Sequence, residues 1–471
     1  MTSTAQPASG PNADATNGSA ARRIMLYCIL TSLAALLVGL DTGLPAGVIN
    51  AWAAQYHVDP LLQGGFAACM LVGAIVGAMS GGFFCQHYGR KKTLSLAGIF
   101  FAVGALCAMF SWNVPTMFAS RAIVGLGFGL TNFTGALYLS EIALPIQRGI
   151  MVSTFQLFMT IGILVQFFYN TLWIPSGNWR GMISLEAAVA VVFVLGSLIL
   201  PESPRWLAAK GEHAKALKVL TMLRATPEEA QAELDEALSG GEHKKSDGWH
   251  LFRTNSNFRR SVGLGMLLQI FQQFCGINAV LFYAPKVLQA AHFGELGQMW
   301  GTVAIGAVNA IMTVFAMRYS DRLGRRPIMY LGCTAMTIAM GGLAFLFTMG
   351  WSDVAAQFTT LALIFLFVAG FAMSAGPIVW LLCAEIQPAA GRDFGVTVST
   401  ATNLTFSLII AQSFPAVLAF MGKADTFWLL TIFNVLGLLL IYFLTPETKD
   451  VSLDTIEKNL LSGKKLRDIG R

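Results

Sequence analysis

Charge is what this chain has little of. Asp, Glu, Lys and Arg make up only 12% of its 471 residues, whereas 55% are hydrophobic. A soluble domain carries roughly a quarter charged residues, so water does not solvate most of this chain. Histidine is scarce too: there are six, none inside a long apolar stretch, which argues against a histidine proton relay. The seven cysteines lie in or beside apolar segments without metal-ligand spacing. They read as small core residues, not as a disulfide framework or a metal centre. The apolar stretches also hold no nucleophile–base pair and no pair of catalytic carboxylates, so an enzyme is not expected. Neither is a cofactor or a metal.

What is present is length without polarity. Twelve apolar stretches lie near 24–50, 62–84, 93–112, 115–139, 150–171, 181–200, 260–287, 297–319, 328–350, 357–382, 394–420 and 424–445. Crossing a bilayer takes roughly 20 residues as a helix, and an all-α membrane protein follows because each backbone amide must be satisfied without water. The expected layout is a disordered tail over 1–23, a six-helix bundle over 24–200, a helical insert over 201–259, a second six-helix bundle over 260–445 and a tail over 446–471. Within the insert, Thr226-Pro227-Glu228-Glu229 has the form of a helix-capping box. Basic residues gather on one side of the spans: Arg22, Arg23, Arg90, Lys91, Lys92, Arg322, Arg325 and Arg326. That bias predicts cytoplasmic termini and accounts for the net charge of +6 without a nucleic-acid partner.

The two bundles are punctuated alike. Gly89-Arg90-Lys91 returns as Gly324-Arg325-Arg326, Glu141 with Arg148 returns as Glu385 with Arg392, and Pro201-Glu202-Ser203 returns as Pro446-Glu447-Thr448. Such repeated bundles suit a transporter whose substrate site lies between two like halves.

Ionisable groups at membrane depth cost roughly 2.5–3.5 kcal/mol each, so each needs a reason. Asp41 falls ~13 Å and Arg121 ~9 Å below the outer ends of their helices, at a level where they can pair. Two readings stand: a proton-coupling pair, or a structural pair holding the spans in register. A carboxyl that carries protons near neutral pH needs surroundings that disfavour its charge. Gly125, Gly127 and Gly129 follow Arg121 and allow close helix packing. Glu186 reads as a surface or loop-edge carboxylate.

Amides dominate the second half. Gln269, Gln272 and Gln273 follow i, i+3, i+4 spacing in the seventh span, with Asn278 just beyond. Asn309, Asn403 and the first-half Gln156 are also well inside spans. Amides both donate and accept, which suits an uncharged, hydroxyl-rich solute; hydrogen bonds between helices are the alternative. Trp380 offers a flat face for a sugar ring, or belongs to an aromatic belt.

At these residues the chain resembles the sugar porter family of the major facilitator superfamily over nearly its full length. The motifs are Arg121 with its glycines, Glu141-x6-Arg148-Gly149, Pro201-Glu202-Ser203-Pro204-Arg205-Trp206, Gln272-Gln273-x4-Asn278, Asp321-x2-Gly324-Arg325-Arg326 and Pro446-Glu447-Thr448-Lys449. The closest likeness is to bacterial galactose– and arabinose–proton symporters. The resemblance implies alternating access across a bacterial inner membrane, with a monosaccharide and a proton as partners and a monomer as the working unit. It implies proton coupling at Asp41 with Arg121, and sugar contacts at Gln156, Gln272, Gln273, Asn278, Asn309, Trp380 and Asn403. It also implies a latch between the halves from Arg90, Glu141, Arg148, Arg325, Glu385 and Arg392 when the outer side is open. A uniporter or a non-transporting sensor shares the same fold. Four positions depart from the family pattern: Gln86, Ala136, Phe282 and Leu404.

Overall fold

The fold is that of a computed structural model, which describes residues 11–144, 148–239, 248–351, 353–388 and 391–470. The first half runs α1 (Pro11–Tyr56), α2 (Pro60–Tyr88), α3 (Arg90–Met109), α4 (Val114–Ile142), α5 (Arg148–Trp173) and α6 (Trp179–Ile199). The insert contributes α7 (Pro204–Ala209), α8 (His213–Leu223), α9 (Pro227–Ser239) and α10 (Gly248–Thr254). The second half runs α11 (Ser256–Phe274), α12 (Ile277–Ala290), α13 (Glu295–Leu323), α14 (Arg325–Met349), α15 (Val354–Met373), α16 (Ala375–Glu385) and α17 (Arg392–Leu444), followed by α18 (Leu453–Leu461). Among the described residues, eleven helical segments are long and apolar enough to cross a membrane. The last of them, α17, turns back at Gly422, whose φ of +80° only glycine adopts readily, so it makes two crossings. Twelve crossings result. Both chain ends and the insert therefore share one face, here the terminal face.

Helix ends differ from expectation in instructive places. Helix α1 begins at Pro11, inside the stretch expected to be disordered; residues 1–10 lie outside the described residues. The seventh span is broken at Cys275–Gly276 and the tenth at Ser374, so each is a pair of half-helices. Gly276 takes φ +103°, which ends α11 and redirects α12. Unwound backbone at membrane depth is tolerated only inside protein or beside water. Both breaks flank the amide-rich segment.

The internal repeat is reproduced in backbone conformation and in capping partner. Gly89 and Gly324 share φ +91°, with ψ 169° and 160°. Each opens a helix whose first amides are capped by a carboxylate from the far end of its own half. Glu202 Oε1 accepts from the Arg90 and Lys91 amides at 2.8 and 3.1 Å. Glu447 accepts from the Arg325 and Arg326 amides at 3.0 Å each. A negative charge on a helix N-terminus satisfies orphan donors and complements the helix dipole. That is the work done by the repeated Pro-Glu-Ser/Thr motif.

Packing within the first half relies on small residues. A Cβ at Gly125 would overlap the Met70 carbonyl, and one at Gly129 the Ala74 carbonyl, so α4 and α2 meet backbone to backbone. This close approach brings Arg121, one turn earlier on α4, against α2.

Candidate functional site

Three charged side chains meet inside the first half. Arg121 Nη1 lies 2.6 Å from Asp41 Oδ1 and 4.0 Å from Glu186 Oε2, and all three residues are 0% exposed. Arg121 Nε donates to the Phe66 carbonyl at 3.4 Å, and the guanidinium stands over the Phe66 ring at 4.6 Å. The contacts are close but poorly aligned. Both Asp41 oxygens, both Glu186 oxygens and both Arg121 Nη atoms lack a well-angled hydrogen-bond partner among the described residues. With all three ionised, the cluster would carry one uncompensated negative charge in a dry interior, which costs several kcal/mol. One proton makes it neutral.

Glu186 corrects the expectation of a loop-edge carboxylate. It stands seven residues into α6, about 10 Å along the helix, and faces α1 and α4 instead of the periphery. It is the sole acidic residue of α6, and that isolation in a 21-residue apolar helix was the available signal. A proton-carrying Asp41 implies access to a water-lined cleft between the halves; in this conformation Asp41 is instead sealed within the first half.

The second-half amides form a continuous chain. Asn403 Nδ2 donates to Gln269 Oε1 and to Gln272 Oε1, both at 2.6 Å. Gln272 Nε2 donates across the break of the tenth span to the Ala375 and Gly376 carbonyls at 2.7 and 3.2 Å. Gln273 Nε2 donates to Gln272 Oε1 at 3.4 Å, and Asn278 Nδ2 donates to Gln273 Oε1 at 2.6 Å and Ser407 Oγ at 2.7 Å. Trp380, one turn after Gly376, keeps 40% of its surface exposed. Asn309 is buried, yet its side chain makes no hydrogen bond among the described residues. Gln156 is half-buried and likewise unbonded among them; the α5 amides that do bond are Gln166, through Nε2, and Asn170, and nothing in the sequence pattern singles these out.

Ion pairs at the terminal face stay within each half. Arg90 Nη2 pairs with Glu141 Oε1 at 2.8 Å, and Arg325 Nη2 with Glu385 Oε1 at 3.2 Å. Arg392 Nε is buried without a partner among the described residues, and the side chain of Arg148 lies outside them. Each of these two pairs lies within a single half, so neither bridges the cleft at this face. The opposite face is different. Lys286 Nζ on α12 donates to Gln63 Oε1 on α2, and Gln412 Nε2 on α17 donates to the Leu61 carbonyl at 2.7 Å. Phe168 and Trp300 meet there too, with ring centroids 6.3 Å apart. The halves touch at the face away from the termini.

These features can be set beside known proteins. A family described as "Sugar (and other) transporter" matches residues 27–460. The chain belongs to this family. It is 44% identical over 444 residues to the galactose-proton symporter of Escherichia coli K12, covering 94% of this chain and 96% of that protein. It is 39% identical over 453 residues to the arabinose-proton symporter of the same strain, covering 95% and 96%. The xylose transporter XylE from E. coli in its inward open conformation aligns with a TM-score of 0.80 at 27% identity, over 92% of this chain and 98% of that one. XylE described as a major facilitator proton:xylose symporter bound to 6-bromo-6-deoxy-D-glucose gives 0.76 at 26%, over 95% and 98%. As a family member with this architecture, the chain is a multi-pass membrane transporter of the major facilitator fold.

Proposed function

We propose that the protein imports a monosaccharide of the galactose, glucose or arabinose type together with a proton, by alternating access across the bacterial inner membrane. The observation that carries this is one buried guanidinium facing two buried carboxylates in the first half. Such a cluster is neutral with one proton, and the amide row of the second half suits an uncharged polyol. The similarity to sugar-proton symporters supports the same reading.

In the cycle, the terminal face is cytoplasmic, as its Arg and Lys excess argues. The state described here, with contacts at the opposite face, is then inward-facing. When the outer face opens, a proton reaches Asp41, Glu186 and Arg121, and a sugar engages Gln272, Gln273, Asn278, Asn309 and Asn403, with Gln156 from the other half and Trp380 against the ring. The neutral, loaded protein closes outside through Lys286–Gln63 and Gln412–Leu61, and the terminal-face ion pairs reorganise. One charge moving through 100 mV supplies about 2.3 kcal/mol, enough for more than tenfold accumulation. Replacing Asp41 by Asn is expected to abolish uphill uptake in energised vesicles while sugar exchange continues. Accumulation by Asp41→Asn against a gradient would overturn proton coupling at this cluster.

A further inference from the structure

The closed outer face is not solid. Between the halves it holds a cavity of about 300 Å³, at the small end of the roughly 300–1,000 Å³ typical of ligand sites. Its floor is buried and comes from both halves: Phe167 and Asn170 of α5, Met182 of α6, and Pro285 of α12. Its rim is exposed, with Asn50 of α1 facing Glu295 of α13. None of these residues belongs to the central amide row or the buried charge cluster.

The polar inventory narrows the occupant. Asn170 donates one of its two amide hydrogens to the Gly43 carbonyl and accepts from Gln166. Gln298 donates one Nε2 hydrogen to the Phe293 carbonyl at 2.8 Å, which leaves the other hydrogen to donate and Oε1 to accept. Thr302 Oγ1 donates back to the Gln298 carbonyl and likewise keeps acceptor capacity. With the Glu295 carboxylate and the Asn50 amide, the walls offer acceptors and neutral donors and, among the described residues, hold no cation. A ligand with many hydroxyl donors and no negative charge matches them, and Phe167 supplies an apolar wall for its carbon face.

We propose that this cavity is a second binding site for small, neutral polyols, and that an occupant holds the outer face shut. It touches both halves, so it exists only while they are together there. A ligand that binds one conformer alone shifts the equilibrium towards it by the factor 1 + [L]/Kd. The consequence for transport rests on the alternating-access reading above: external polyol would slow the return to the outward-open state and lower the maximal rate, whereas competition at the central site would raise KM.

The test uses the full chain in nanodiscs with spin labels at Trp112→Cys and Trp351→Cys, exposed positions of the two halves at this face, in a Cys69→Ser, Cys107→Ser background. Sorbitol is the probe, with potassium chloride at equal osmotic strength as the control. The closed-to-open ratio should rise about twofold when sorbitol equals its Kd. Asn50→Leu combined with Gln298→Met should abolish the response and preserve the distribution without sorbitol. An unchanged ratio, a shift towards open, or an equal response in the double variant would each overturn the site. The readout needs no transport. Labelled galactose uptake, run in parallel, separately decides the functional reading: its absence would strike that reading and leave the distance result standing.

Discussion

Glu186 Oε2 stands 4.0 Å from Arg121 Nη1, in a pocket where neither side chain touches solvent. The arginine therefore answers to two acids, one on α1 and one on α6. Removing the second acid leaves a neutral pair that needs no proton. Glu186→Gln is thus expected to cut proton-driven uptake by at least about tenfold, in line with a membrane charge cost of about 2.5 kcal/mol, while exchange down a gradient changes little. Uptake driven by an imposed pH step in proteoliposomes measures this. Wild-type accumulation by the variant would assign Glu186 a purely packing role.

Lys286 and Gln63 tie the halves at the face away from the termini. Gln63 is itself held, its Nε2 donating to the Val58 carbonyl at 2.9 Å, so its Oε1 is aimed in advance. A hydrogen bond to a charged group is worth about 1.5–3 kcal/mol net. Lys286→Met should raise the outward-open population more than about tenfold, read as labelling of an outer-face cysteine in either bundle. An unaltered labelling rate would show that the aromatic and Gln412 contacts hold the face without it.

Glu202 and Glu447 occupy equivalent positions, so their loss should be equivalent. Glu202→Ala or Glu447→Ala leaves two first-turn amides uncapped, and each is expected to lower stability by about 1–2 kcal/mol. The sites are in different halves, so the double variant should be additive to within about 0.5 kcal/mol. Thermal unfolding in detergent gives the comparison; a strongly sub-additive result would mean the halves unfold in separate steps.

Asn403 and Asn309 separate architecture from recognition. Asn403→Ala strips the donor from two glutamine oxygens in a buried row and should cost about 1–3 kcal/mol of stability. Asn309→Ala breaks no side-chain hydrogen bond among the described residues. It should leave the melting temperature nearly unchanged and raise KM for sugar. Equal melting losses in the two variants would contradict this division.

Much of this was legible in the chain itself. Twelve spans, the polar insert, the twin motifs and the meeting of Asp41 with Arg121 follow from hydropathy, repeat offsets and helical rise. Glu186 did not, because distance from a helix end says nothing about which way the helix is rotated, and rotation decides burial. The breaks at Gly276 and Ser374 were also hidden, since an apolar run looks unbroken whether or not its backbone unwinds. Gln166 and Asn170 were passed over for Gln156 because partners such as the Met182 and Gly43 carbonyls exist only once α1, α5 and α6 pack together.

Gln272 bonds across the gap at Ser374, and both hydrogens of its amide nitrogen are taken, one by Ala375 and one by Gly376. Any solute that accepts from that nitrogen must first unfasten the start of α16. If Gln272 holds the sugar as proposed, grip on the cargo and release of that half-helix become a single exchange of partners, and a full site is sensed by what the protein has to let go.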